Sequence, residues 1–318
     1  MIIARLLLAV MAAALPAPAL AQGFPAKPIH MLVGYSAGGG ADALARIVAA
    51  KMSGELGQQV LVDNRPGAGG NIAADTLAKA APDGHTIMFA DSALLIAPSI
   101  YAKLTFDVMK SFAPVGAAVA TPLVVMVNPA VPAKTTQELI ALLRANPAKY
   151  SYGSPGIGTV HHLAMELFKK QAGVNMLHVP YKGASAIVPD LISGQIPIGI
   201  MSASPALAQA KGGKLRPIAL TSRVNVRGAD WPALADTLPG FDASPLLFVI
   251  APAATPQGVI SQLNAALKST LSAREVIEGV ANQGAQTDYS SAQELGKRMA
   301  EELRKWAQVA KDSGAKLE

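Results

Sequence analysis

The chain uses one short pattern at two distant places: an apolar β-like run, a loop of S-x-G-x-G type, and a helix-like stretch. In the first copy Ile29–Val33 passes through Ser36-Ala37-Gly38-Gly39-Gly40 into Ala41–Met52, where Leu44, Ile47, Val48 and Met52 fall at helical spacing. In the second, Tyr150–Tyr152 passes through Ser154-Pro155-Gly156-Ile157-Gly158-Thr159 into Val160–Gln171. The rest of the chain keeps the same alternation. Gln59–Asp63 reads as a strand and Pro66–Gly70 as a loop, and Asn71 is placed to cap a helix running to about Ala80. Pro82-Asp83-Gly84 then turns into a third strand, Thr86–Ala90. This β-α-β-α-β order predicts an α/β fold with a parallel sheet covered by helices.

A second α/β series follows an apolar run at Leu123–Val127. Helices are expected at Thr136–Ala145 and Ala184–Ser193, and strands at Met176–Val179, Ile196–Met201 and Arg216–Thr221. Another apolar run, Leu246–Ile250, precedes helical stretches at Gln257–Leu271 and Ser291–Lys311; the last sets Leu295, Met299, Leu303, Trp306 and Ala310 on one face. The economical topology is two lobes, residues 22–122 with 248–318 and residues 123–247, joined at the two apolar runs. Periodicity alone allows one large sheet equally well.

The N-terminus bears on compartment. Arg5, the apolar Leu6–Leu15 and the Ala19-Leu20-Ala21 site before Gln22 read as a cleaved signal peptide over residues 1–21, which implies export to the periplasm. Pro16 and Pro18 and the short apolar stretch argue against a retained anchor. The 318 residues contain no Cys, so the fold needs no disulfides. A net charge of +6 without basic clusters, and only 5% aromatic residues, exclude a nucleic-acid groove.

Glycine at these loops permits positive φ and lets a ligand approach the backbone without meeting a Cβ. The first amides of the following helix lack internal partners and face outward at the positive end of the dipole, so a carboxylate or phosphate is favoured there. Ser36, Ser154 and Thr159 offer hydroxyl donors, and Asp42 either caps its helix or meets a ligand ammonium. Two tight turns without a ligand explain the same glycines. Gly34-Tyr35-Ser36-Ala37-Gly38 matches the G-x-S-x-G of a serine hydrolase, but too little chain precedes Ser36 to supply the earlier strands, and no oxyanion loop is present. The loop fits neither G-x-G-x-x-G nor a Walker sequence, although Asp63 stands where a ribose-binding acid would. His161-His162 with Glu166 lacks the H-E-x-x-H metal pattern.

Several motifs together resemble the Bug/TctC substrate-binding proteins of tripartite tricarboxylate transporters, over essentially the whole chain after residue 22. They are Phe24-Pro25-Ala26-Lys27-Pro28-Ile29, Ala37-Gly38-Gly39-Gly40-Ala41-Asp42, Asp63-Asn64-Arg65-Pro66-Gly67-Ala68-Gly69-Gly70-Asn71 and Ala81-Pro82-Asp83-Gly84. Gly156-Ile157-Gly158-Thr159, His162-Leu163-Ala164 and His178-Val179-Pro180-Tyr181-Lys182-Gly183 complete the set. The resemblance implies a monomeric, two-lobed Venus-flytrap protein with no catalytic residue, cofactor or metal. It would hold a small organic carboxylate between the lobes and deliver it to the membrane subunits of its transporter, or to a signalling receptor.

The binding residues so implied are Tyr35, Ser36, Ala37, Gly38, Gly39, Gly40, Ala41, Asp42 and Ser92 in the first lobe. In the second they are Ser154, Gly156, Gly158, Thr159, His162, Tyr181, Lys182, Gly183, Ala184, Ser202 and Ser204. The chain departs from its relatives in three places. Ala41 stands where many carry Thr, Ile200-Met201-Ser202-Ala203-Ser204 where an Asp-Asn pair is common, and Ser244-Pro245-Leu246-Leu247 where a tryptophan segment is usual. These changes make the cleft less acidic and more apolar. They predict a ligand with one well-held carboxylate and an uncharged remainder, such as an aromatic acid.

Overall fold

The computed structural model describes residues 23–147, 149–181, 186–224 and 226–316; the expected signal peptide lies outside them. The chain begins with β1 (Ile29–Val33), α1 (Gly40–Leu56), β2 (Val60–Asn64), α2 (Asn71–Ala78), β3 (Thr86–Asp91), α3 (Ser92–Ile100) and β4 (Phe112–Ala120). It continues through β5 (Leu123–Val127), α4 (Thr136–Ala145), β6 (Ser151–Ser154), α5 (Val160–Ala172), β7 (Leu177–Pro180), α6 (Ile187–Ser193), β8 (Ile198–Ser202), α7 (Ala203–Lys211) and β9 (Arg216–Leu220). The last elements are β10 (Leu246–Pro252), α8 (Gln257–Ser272), α9 (Arg274–Asn282), β11 (Gln286–Thr287) and α10 (Ala292–Ser313). No helix among the described residues is long and apolar enough to cross a membrane.

There are two sheets, which excludes the single-sheet alternative. The first runs β11-β4-β10-β3-β1-β2 and the second β7-β6-β8-β5-β9. Each contains three parallel strands, β2-β1-β3 and β7-β6-β8, as the βαβ pattern predicts. Each sheet is also mixed. In the first, β10 pairs antiparallel with both β3 and β4; in the second, β5 pairs antiparallel with both β8 and β9. The two apolar runs are therefore equivalent central strands, buried on both faces along their whole length, which is why neither shows polar alternation.

The chain passes between the sheets just before each of these strands, at Thr121-Pro122 and at Ser244-Pro245. Both passages read hydroxyl-Pro-Leu, and they lie side by side: the Thr121 N–H donates to the Pro245 carbonyl at 3.0 Å. The first amide of each central strand is met by a side-chain hydroxyl. The Leu123 N–H donates to Thr221 Oγ1 (3.2 Å) and the Leu246 N–H to Ser92 Oγ (2.9 Å). Away from the passages the halves are tied by α10, whose buried Leu295, Met299, Trp306 and Ala310 pack in one apolar cluster with residues of α3, β4 and α5.

Several elements escape the sequence pattern for identifiable reasons. β4 is Phe-Ala-Pro-Val-Gly-Ala-Ala-Val-Ala, with Pro114, Gly116 and small residues where strands favour branched ones. α3 has almost no polar face and carries Pro98 inside it, so helical periodicity is invisible. Asn71 is the first residue of α2 rather than its cap, since the cap position is Gly70 at positive φ.

Thr221 is fully buried and holds Leu123 from both sides, its own N–H donating to the Leu123 carbonyl at 2.9 Å. Replacing it with the near-isosteric Val leaves the Leu123 amide without its hydroxyl acceptor. Urea unfolding of Thr221→Val is expected to show a loss of about 1–3 kcal/mol; unchanged stability would remove this bond from the junction.

Candidate functional site

Loop 1 leaves the carboxyl end of β1 and loop 2 the carboxyl end of β6, the edge where open α/β sheets take their ligands. Both loops are held by the same device. Gly38 (φ 82) turns its N–H back to Oδ2 of Asp42 at 2.9 Å, and Gly158 (φ 75) turns its N–H to Nδ1 of His162 at 3.2 Å. In each case the acceptor sits four residues on, in the first turn of the following helix. A left-handed residue is needed to aim the amide this way, so glycine is required at both positions.

This device decides which loop groups remain available. The Gly38 and Gly158 amides are engaged, whereas the N–H groups of Gly40, Ala41 and Asp42 and of Thr159, Val160 and His161 find no acceptor among the described residues. Those six are first-turn or cap amides, the groups that favour an anion. Ser36, Ala37, Gly38, Gly39 and Gly40 are exposed, and Ser36 Oγ makes no hydrogen bond among the described residues.

Most of the expected polar side chains brace the scaffold instead of reaching outward. Asp42 is buried and accepts from Gly38, from Asn64 Nδ2 (2.9 Å) and twice from Arg46 (both 3.0 Å), and the Arg46 bonds hold its carboxyl down at about 2. Its lone pairs are filled, so it is not placed to meet an ammonium group. Thr159 donates its hydroxyl proton to the Gly156 carbonyl (2.8 Å) and accepts from the His162 N–H (3.2 Å). Ser154 is fully buried, against Gly156 and His178 Nε2 (2.7 Å). A hydroxyl has one proton: Thr159 gives its to the Gly156 carbonyl, and Ser154 is engaged by Gly156 and His178 inside the protein.

Tyr35 donates to Oδ2 of Asp91 (2.6 Å), a half-buried residue whose carboxylate also caps the Ala93 N–H (3.0 Å). Burial raises the Tyr35 phenol far above its ordinary value and raises Asp91 as well. Ser92 serves the Leu246 amide. Tyr181 bonds Asp190 (2.7 Å) through its hydroxyl and the Ser154 carbonyl through its N–H (2.9 Å), fixing loop 2 from behind. Ser202 and Ser204 flank the start of α7, and their hydroxyls make no hydrogen bond among the described residues. Lys182, Gly183 and Ala184 lie outside those residues.

The halves approach one another beside these loops. A Cβ on Gly158 would stand 2.7 Å from Cγ2 of Ile100 at the end of α3, and one on Gly284 would stand 2.9 Å from the Ser204 nitrogen. Arg227 bonds Asn282 (3.1 Å), and Lys170 pairs with Asp312. A cavity of about 420 Å³ opens along α5, lined by His162, Glu166, Lys169, His178 and the chain end at Ser313–Lys316. It lies behind loop 2, next to the bracing residues. The described residues hold no group of three or more His, Cys, Asp or Glu suited to a metal.

The sequence assigned no role to Asp91 or Arg46, and His161 was considered only for a metal motif that it does not complete. Arg46 was signalled by its i+4 spacing from Asp42. Asp91 carried no local signal, because Tyr35 reaches it from 56 residues away. Nor does the sequence distinguish the two neighbouring histidines: His162 braces Gly158, whereas His161 Nε2 is buried with no partner.

Two matched helix starts on two linked lobes, with few side chains offered and no nucleophile–base pair at Ser36 among the described residues, define a solute-binding protein of the periplasmic type. The model of the tripartite tricarboxylate transporter family receptor, TctC, matches residues 44–315, and the chain belongs to that family. BugT of Bordetella pertussis is 33% identical over 311 residues, covering 96% of this chain and 95% of BugT. A solved periplasmic transporter superposes with a TM-score of 0.79 at 35% identity, covering 93% of this chain and 100% of that one. Rpa4515 of R. palustris, solved with adipate, gives 0.79 at 30% identity over 92% and 100%. Members of the family are binding proteins, not enzymes.

The buried histidines generate a pH expectation. His161, His162 and His178 are each brought down to about 4, chiefly by burial; Lys169 adds to the effect at His162, and the stacked His162 ring (3.9 Å between centroids) at His178. Unfolded histidines titrate near 6.5, so the unfolded chain binds protons first as pH falls. Stability is complete above about pH 6.5 and is lost progressively towards pH 4, by about 1–2 kcal/mol for His162 by pH 5. Asp42 acts in a separate window, its contribution present above about pH 4 and lost as pH falls through 2. Urea unfolding from pH 7 to 4 should show the histidine loss, and His162→Gln, which keeps an acceptor for Gly158, should make it smaller by the His162 share while His161 and His178 retain theirs. A level profile over that range in the parent protein would refute neutral, buried rings.

Proposed function

We propose that the protein is exported through the signal peptide at residues 1–21 and works in the periplasm as a monomeric receptor for a small organic acid. The lobes are residues 22–122 with 248–318 and residues 123–247. They hold one carboxylate of the ligand between loop 1 and loop 2. The observation that carries this reading is the set of six helix-start amides without acceptors, three in each half, beside the Gly38–Asp42 and Gly158–His162 braces. Charge-assisted bonds to several such amides suit a carboxylate. The adipate-bound relative supports the class of ligand.

Closure is a rotation about the paired passages at Thr121-Pro122 and Ser244-Pro245, driven by contacts that exist only when ligand bridges both loops. The closed form is what the membrane subunits of a tripartite transporter recognise. Ser202 and Ser204 carry no charge where the family resemblance leads one to expect an Asp-Asn pair, so the far end of the ligand is uncharged. Lys182, Gly183 and Ala184 complete the second lobe's contribution to the site.

Thermal shift against a panel of acids tests this. Aromatic or other monocarboxylates are expected to raise the melting temperature most; the largest shift from glutamate or aspartate would overturn the assignment of an uncharged remainder. Gly38→Val should bind at least tenfold more weakly while remaining folded, because a side chain at φ 82 costs about 1–2 kcal/mol locally and misdirects the loop. Gly158→Val should do the same and also press on Ile100. Normal binding by both variants would end the loop assignment.

A further inference from the structure

Two polar side chains at the carboxyl edges of the sheets are left without partners. Asn71, the first residue of α2, is 8% exposed, and neither its Nδ2 nor its Oδ1 has a hydrogen-bond partner among the described residues. His161, in the first turn of α5, has a buried Nε2 in the same condition. A buried amide or imidazole nitrogen left unmet costs about 1–3 kcal/mol, and native proteins carry few of them. The remaining unmet side-chain atoms, on His85, Thr255 and Thr270, are not at helix starts that follow parallel strands.

Position gives these two a direction. Asn71 shares the inward face of α2 with the buried Ala74 and Leu77, and His161 lies at helical spacing on the face of α5 that carries the buried Met165, Phe168 and Ala172. Helical Cα–Cβ bonds tilt towards the N-terminus, so an inward residue in the first turn reaches past the strand ends, towards the loops. Gly70, just before Asn71, packs against the root of loop 1: a Cβ on Gly34 would stand 2.5 Å from the Gly70 Cα. His161 is the counterpart of Ala41 once Gly38 is matched with Gly158 and Asp42 with His162. An imidazole in the second half thus stands where the first half has a methyl group.

The chemistry narrows the ligand. The Asn71 amide offers two donors on one side and an acceptor on the other, and a neutral imidazole offers one of each. A second carboxylate supplies acceptors only and would leave Asn71 Oδ1 without a donor. A hydroxyl supplies both a proton and lone pairs. Building on the carboxylate reading above, we infer that the acid carries at least one hydroxyl group, read by Asn71 from the first lobe and by His161 from the second. Both residues are then specificity determinants that leave the carboxylate grip unchanged.

Calorimetric titration of the mature chain with matched pairs, benzoate against 4-hydroxybenzoate and succinate against malate, tests this. In at least one pair the hydroxylated acid should bind ten times or more tightly than its partner. Asn71→Ala and Asn71→Leu should reduce that preference to threefold or less and leave the unhydroxylated acid unaffected, with His161→Phe acting in the same sense. Because the unmet amide is removed, the ligand-free Asn71 variants should melt no lower than the parent. A drop of several degrees without loss of preference would make Asn71 a packing residue and overturn the inference. If in neither pair the hydroxylated acid binds more tightly than its partner, the hydroxyl inference falls while the carboxylate reading stands; if no carboxylate binds, both fall.

Discussion

A helix cannot satisfy its own first amides, and this chain does little to satisfy them from elsewhere at α1 and α5. In both loops one side chain of the first helical turn reaches back to a left-handed glycine, Asp42 to Gly38 and His162 to Gly158. That single bond holds the loop against the helix start and leaves the following amides outward. The two acceptors differ in charge, yet the result is matched. Asp42 is balanced by Arg46 at 3.0 Å, and burial keeps His162 uncharged. Neither brace therefore sets an uncompensated charge against an arriving anion.

The side chains around the loops serve this arrangement. Tyr35, Asp91, Ser92, Ser154, Thr159 and Tyr181 all bond to neighbours in the protein. In the proposed site the contact surface is left mainly to backbone nitrogens, which cannot rotate away and would lose no rotamer freedom on binding. Specificity there would fall to the few side chains with unused hydrogen-bonding capacity.

The two halves are related by more than their loops. Each sheet receives its antiparallel central strand immediately after a passage from the other half, and each such strand begins with an amide capped by a hydroxyl, from Thr221 or from Ser92. The passages bond to one another through Thr121 and Pro245. Two adjacent backbone segments, with α10 packed across both halves, thus join the two sheets.

Much of the fold was legible in the chain itself. Branched and apolar runs gave β1, β3 and β5, and the spacing of Leu295, Met299, Trp306 and Ala310 gave α10, because each follows from local periodicity. The glycine loops were legible as a pair, since positive φ is a local demand that glycine meets. The division of labour within the site was not: Ser154 and Thr159 looked like donors, and only packing showed them engaged inside the protein. The exchange of β5 and β10, the reach of Tyr35 to Asp91, and the difference between His161 and His162 depend on segments far apart in sequence. Local residue type sets which backbone shapes are allowed, whereas the partner of a hydrogen-bonding group is whatever the folded chain brings within about 3 Å of it.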